Sequence, residues 1–282
     1  MQLRTRQRSK HLFLKKALER ARPTIFRAAT EAIKARQEQR RLNTVAVSEE
    51  EVYHAETHRY ADALDQVPAR LDRVRLLLMH VPTKAYLRRV KMSATDYVHY
   101  HHRMHVFLLS AAFDTALNLC NVLLRLDIPP YAVREKDVAK HPRVKRFGLK
   151  TKLKAIAALV KPHKPLRQDV LHHGQQNVLE SFEPIVLLEL AQKGSRRASD
   201  RLVVPPGIMD AMQGGATAEL LIPMWEERRA LRAAIDDLFA ALDDPYDIFT
   251  ELSPSSVSSS DGLARIIHVG QREEATDPLQ TC

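Results

Sequence analysis

Apolar side chains recur at helical spacing without a break between Ser93 and Leu126. Val98, Phe107, Leu108, Ala111, Ala112, Leu119, Val122, Leu123 and Leu126 keep a 3.6-residue period, which predicts one long buried central helix. Ser93 supplies its N-cap, and Asp127-Ile-Pro-Pro130 ends it, because a residue before proline is pushed out of the α region. A helix with so long an apolar stripe has to be covered by others. The rest of the chain is suited to that: only 8 of 282 residues are glycine, while Ala, Leu, Arg and Glu are abundant. The fold class expected is all-α.

Segment 9–42 alternates apolar and basic residues at helical spacing, with Pro23 expected to restart the helix. Residues 1–47 form a basic arm that either docks on the rest or reaches a partner. Ser48 and Glu51 make a capping box for a helix over about 49–65, and Pro68 is expected to open or kink the next piece, to about 80. Lys84–Val90 reads as a short helix or turn. After the central helix come a basic connector, YAVREKDVAKHPRVKRFG, and a helix over 149–160. Beyond the break Lys161-Pro-His-Lys-Pro, a helix runs over about 166–192, interrupted near Gly174 or Pro184. Gly194 to Gly215 reads as a loop region, with Leu202–Val204 as its one short strand-like run. A last amphipathic helix spans about 216–242 and carries Trp225, read as core. The bundle thus covers 48–245. Residues 246–282 form a Ser-rich tail expected to be disordered, in which Ile266 and Ile267 can dock weakly.

Several classes are set aside. Two isolated cysteines, Cys120 and Cys282, make neither a disulfide framework nor a metal cluster, which fits a reducing compartment. The longest apolar patches, such as Val106 to Ala112, are interrupted by charge within two turns, so no membrane span is expected. The basic start lacks the apolar run of a secretory signal. It has some likeness to an Arg-rich transit peptide, but its basic helical pattern continues for forty residues, and the location expected is cytoplasmic. Gly214-Gly215 has no Lys-Ser/Thr after it and is not a phosphate-binding loop. His101 and His105 stand at i, i+4 in a His/Tyr-rich turn with Tyr97, His99, Tyr100 and His102. No third ligand follows at a diagnostic spacing, so no metal and no cofactor are expected; the rings are read as buried filler or as the lining of a cleft.

Charge placement points to a polyanion. Residues 1–42 hold 13 Lys or Arg against 3 acids, and residues 134–167 hold 12 against 2, so each block carries +10. The chain as a whole is also +10, so the remainder sums to −10. The second block offers Lys145, Arg146, Lys150, Lys152, Lys154 and Lys164 as nucleic-acid contacts.

Chemistry concentrates in Leu166-Arg-Gln-Asp-Val-Leu-His-His-Gly174. Arg167 brings a planar fork for phosphate oxygens, and His172 titrates near neutrality and can pass a proton. Five steps on a helix separate them by about 140° round the axis, so they flank a shared edge rather than one line. Gln168, Asp169 and His173 stand beside them. The central helix adds a polar stripe, Asp114, Asn118, Asn121 and Arg125, at i, i+4, i+7 and i+11, of which the Asp and Asn disfavour a helix interior. Such a stripe either supports the site or faces solvent.

The stretch RQDVLHHG resembles the Arg-x4–6-His signature of the HEPN (higher eukaryotes and prokaryotes nucleotide-binding) superfamily, with Gln168 where that family often has Asn, Asp or His. The layout of residues 94–192 resembles the family's compact helical bundle, here with additional N-terminal and C-terminal helices. The resemblance implies metal-independent RNA cleavage by attack of the 2′-hydroxyl, leaving a 2′,3′-cyclic phosphate. Arg167 and His172 would be catalytic, with His173 the alternative imidazole. It further implies RNA as partner, a homodimer whose two motifs meet in one cleft, and an antitoxin or regulatory protein as possible companion. Family members include toxins, antiphage effectors and inactive nucleotide binders. Two rival readings stand beside it: a non-catalytic module that binds nucleic acid or nucleotide, and a dimerising scaffold in which Arg167 pairs with a carboxylate of its own chain.

Overall fold

The structure, a computed structural model, describes residues 2–38, 44–168, 182–194, 207–251 and 265–268. Among these residues the helices are α1 (Gln2–Gln37), α2 (Glu49–Met79), α3 (Lys84–Arg89), α4 (Ala94–Leu123), α5 (Glu135–Lys140), α6 (Pro142–Arg146), α7 (Leu149–Val160), α8 (Lys164–Gln168), α9 (Glu183–Gly194) and α10 (Ile208–Glu251). Strand β1 (Thr44–Val47) pairs antiparallel with β2 (Arg265–His268), so that Val45 faces Ile267 and Ala46 faces Ile266. The chain is therefore all-α apart from one short strand pair.

The predicted central helix is α4. Ser93 and Asp96 close a capping box at its start, which satisfies donors that the first turn would leave orphaned. Leu109, Ala112, Ala116, Leu119, Cys120 and Leu123 are completely buried along it. Its partner α2 opens on the Ser48–Glu51 capping box read from the sequence. The two run antiparallel. Tyr53, at the start of α2, donates to the Leu123 carbonyl at the end of α4 (3.1 Å), while Val74 and Leu78 at the other end of α2 pack with Val98.

Helix α10 lies antiparallel to α2: Arg228 meets Asp72 at 2.5 Å, and the Tyr246 hydroxyl lies 3.0 Å from His54 Nδ1. The basic arm docks. Helix α1 runs parallel to α10, with Phe13, Ala17 and Ala21 fully buried. Phe13 stacks on Phe239 at 5.3 Å between ring centres and meets Tyr246 edge-on at 5.7 Å. Lys16 pairs with Asp243 (2.9 Å) and Asp247 (2.6 Å), and Arg20 bonds Thr250 (2.7 Å) and Asp247 (3.2 Å). Two cations of the first basic block, Lys16 and Arg20, are thus spent on acids of α10.

Proline behaves differently from expectation. Pro23, Pro68, Pro223 and Pro245 all lie inside continuous helices, so the helix neither restarts at Pro23 nor opens anew at Pro68, and the last helix runs on to Glu251, past the 246 boundary expected for the tail. An interior proline costs about 3 kcal/mol in lost hydrogen bonding and clash. Burial on both sides offsets that at Pro68, which lies among the buried Leu64, Val67 and Leu71. The loop expected up to Gly215 likewise gives way: α10 begins at Ile208 and runs through Gly214-Gly215. Leu202–Val204 lies outside the described residues.

Helix α4 also corrects the reading of the apolar patches. By length and composition it is apolar enough to cross a membrane, with a window mean hydropathy of 1.6, but 56% of that window is buried inside the bundle. Its apolar face serves as the core. The connector forms α5 and α6, each pinned by one fully buried valine, Val138 and Val144. Of the tail, Arg265–His268 pairs with β1; residues 252–264 and 269–282 lie outside the described residues.

If Phe13 anchors the arm, Phe13→Ala removes a fully buried ring and should lower the free energy of unfolding by about 3–5 kcal/mol. Urea denaturation followed by circular dichroism reads the change. A loss below about 1 kcal/mol would mean that α1 contributes little to the core.

Candidate functional site

Helix α7 turns Leu149, Leu153 and Ile156 inward, each at most 1% exposed, and leaves Lys150 and Lys154 exposed one turn apart. The prolines of Lys161-Pro-His-Lys-Pro then take the chain through a 3-10 turn, Lys161–His163, into α8. Proline suits the first turn of each piece because its missing N–H would have no helical partner there. Lys161 and Lys164 are exposed at this corner, and Lys145 and Arg146 are exposed on α6. None of Lys150, Lys154, Lys161 and Lys164 pairs with a carboxylate among the described residues. Lys152 differs: it turns to α10 and pairs with Asp237 at 3.5 Å.

Arg167 sits at the end of α8. Its Nη2 donates to Asp114 Oδ2 of α4 at 3.4 Å, with side chains 37% and 53% exposed. Such a single, long, solvated contact is worth about 0–1 kcal/mol. It orients the guanidinium and leaves it open to solvent. Gln168 is exposed as the last residue of α8. Asp169, His172 and His173 lie outside the described residues, so the second half of the predicted motif has no described geometry.

The polar stripe of α4 divides. Asp114 goes to Arg167. Asn118 donates to the Asp114 carbonyl one turn back (2.9 Å). Asn121 is a latch: its amide donates to the Ile128 carbonyl (2.7 Å) and its oxygen accepts from the Ile128 N–H (3.3 Å), tying down the loop that leaves the helix. That loop contains Arg125 and Asp127 at positive φ, 48° and 59°. Arg125 lies over the Tyr53 ring at 4.6 Å. Only Asp114 of the stripe meets the Arg167 corner.

A second constellation was not foreseen. Glu227 of α10 accepts from His105 Nε2 of α4 (2.8 Å) with one oxygen and from His163 Nε2 (2.7 Å) with the other. His105 is 1% exposed, and its Nδ1 has no partner among the described residues. Burial alone would raise the Glu227 carboxyl, but its two histidine bonds outweigh this and hold it down to about 2. His102, one turn before His105, is itself pushed down by burial, to about 4, and stays neutral. The sequence does show His105, as half of an i, i+4 pair, and His163 inside a proline break. Nothing in it marks Glu227, whose partners lie 122 and 64 residues away.

Two other histidines of the His/Tyr-rich turn pack against rings. His99 meets Phe182 edge-on at 5.5 Å and His101 meets Tyr97 at 4.3 Å. Among the described residues no group of three His, Cys, Asp or Glu is placed to hold a metal ion. Trp225, expected in the core, is 42% exposed under the Arg229 guanidinium (5.2 Å), because Met224 takes the inward position beside it. One pocket of about 480 Å³ opens among Leu78, Leu87, Val98, Phe182 and Leu221, and another of about 290 Å³ beside Tyr53 and Asn121. Arg167 lines neither.

These titrations set a pH dependence. His102 has a folded pKa below the ordinary 6.5, so the stability it contributes is complete above that value and is lost as pH falls toward about 4. Glu227, lowered from 4.5, contributes stability above 4.5 that is lost as pH falls toward about 2. Unfolding free energy should therefore fall continuously from pH 7 to pH 2, and His102→Leu should flatten the part between 6.5 and 4. An unchanged slope in that variant would remove His102 as the cause. Comparison of the chain with family models, with curated proteins and with solved structures returns no match.

Proposed function

We propose that the chain is a metal-independent endoribonuclease whose bundle is of HEPN type. The observation that carries this reading is Arg167: a solvent-open guanidinium, steadied by Asp114, at the end of a lysine-lined corner. Lys150, Lys154, Lys161 and Lys164, all exposed in the segment that leads up to it, would add positive charge suited to a phosphodiester backbone. Arg167 would take non-bridging phosphate oxygens and stabilise the charge that develops on them. His172, five residues on, would take the proton of the 2′-hydroxyl as it attacks phosphorus, or return a proton to the departing 5′-oxygen, with His173 the alternative ring. RNA carries its own nucleophile, so no metal is required. A second copy of the chain would bring its own Arg167 to the same cleft, and a toxin or antiphage role in the cytoplasm would go with the HEPN reading.

The Arg167–Asp114 contact also favours a second reading, since a guanidinium paired within its own chain is what a scaffold or a non-catalytic nucleic-acid module would have. The two part on one experiment. Purified protein in EDTA should cleave RNA to products ending in 2′,3′-cyclic phosphate, and Arg167→Ala and His172→Ala should each lower the rate by about a hundredfold or more. RNA binding that weakens steeply with salt and yields no cleavage would select the non-catalytic module. Neither binding nor cleavage would select the scaffold.

A further inference from the structure

The Glu227 clip joins three parts of the chain through side chains that the proposed chemistry does not otherwise use. His105 belongs to the central helix, Glu227 to α10, and His163 to the corner between α7 and α8. From His163 the chain continues straight into α8, and the side chains at its two ends reach different points: His163 meets Glu227, which also holds His105, and Arg167 meets Asp114, nine positions beyond His105 on α4. The segment from His163 to Arg167 therefore has a polar tether at each end. One is strong, short and mostly buried, His163 to Glu227 at 2.7 Å; the other is weak, long and exposed, Arg167 to Asp114 at 3.4 Å. No side chain of α8 itself is buried. A five-residue helix with no fully buried side chain, Leu166 being half-buried, depends on its polar tethers, and here the stronger of the two is the histidine–carboxylate bond.

We propose that Glu227 and His163 are positioning residues for Arg167: the carboxylate, braced by His105, fixes the corner before α8 and so sets where the guanidinium stands. The role of Arg167 in cleavage rests on the endoribonuclease reading; its placement by the clip does not. Glu227 suits the task because it accepts from both rings at once, and its ionised state persists well into acid. His163 acts on the reaction only through Arg167.

The test is nuclear magnetic resonance of the Arg167 Nε–Hε group in the full chain, assigned with Arg167→Lys, alongside RNA cleavage by the same samples. Asp114→Asn gives the signal of an Arg167 whose last tether is altered. In His163→Gln and Glu227→Gln the Arg167 signal should move toward that position, with kcat lowered about 10- to 100-fold and KM within about twofold. Asp72→Asn, which breaks the neighbouring ion pair to Arg228 on α10, should move neither signal nor kcat. An Arg167 signal unchanged in both clip variants would overturn the proposal. So would loss of the fold in both, because the clip would then be a general stabiliser. Wild-type protein that cleaves no RNA, yet shows the Arg167 shift in the clip variants, would end the nuclease reading and leave the positioning role standing.

Discussion

Everything in this fold takes its place from the antiparallel packing of α2 on α4. Each alone would present a long apolar stripe to water; together they bury it, at roughly 1.5–3 kcal/mol for each large side chain removed from solvent. Helix α10 then closes the groove between them, and its own acids and aromatic rings receive α1. The chain of dependence is readable in Tyr53 and Tyr246. Tyr53 ties the start of α2 to the end of α4 through the Leu123 carbonyl, and Tyr246, fully buried, meets Tyr53 at 6.1 Å and Phe13 at 5.7 Å. Burial pushes the Tyr246 hydroxyl up to about 12, so it remains a neutral donor at any physiological pH.

Periodicity and capping were legible in the sequence because they are local. Ser48 with Glu51 and Ser93 do begin helices, and the 3.6-residue period of the central stretch marks the buried face except at Ala111, which is exposed. Proline misled for the same reason. Its cost is local and fixed, whereas the burial that offsets it comes from residues distant in the chain. Pro245 is buried beside Tyr246, and no window around it discloses that α1 will cover that face. Trp225 shows the converse: the amphipathic pattern of its helix is correct, but which side of the stripe a single large ring falls on depends on where α4 and α2 sit.

Charge shows the limit of counting. Two blocks of equal net charge have unequal fates. The first supplies Lys16 and Arg20 to Asp243 and Asp247, and part of the acidic remainder is spent neutralising it. The second keeps Lys150, Lys154, Lys161 and Lys164 on an exposed face, since α7 spends its inward positions on Leu149, Leu153 and Ile156. A basic segment rich in apolar residues at core spacing docks, and the acids it meets follow from where it docks. A basic segment whose lysines fall opposite its apolar stripe stays available to an outside polyanion.

The α4 stripe carries the same division down to single residues. Asn121 and Asp114 stand on one face, yet Asn121 lies where α4 ends and its amide is needed by the backbone of Ile128, whereas Asp114 lies mid-helix with its own backbone satisfied and its carboxylate exposed. Only the second is free to serve a group from another element. Its hold on Arg167 is one exposed contact of about 0–1 kcal/mol, while a phosphate offers a guanidinium two parallel charge-assisted bonds, each roughly twice as strong as a neutral one. An incoming phosphodiester would therefore outcompete Asp114 for the fork of Arg167. On the endoribonuclease reading, the ion pair would act as a placeholder, keeping the guanidinium ordered and its charge balanced until a substrate anion replaced the carboxylate.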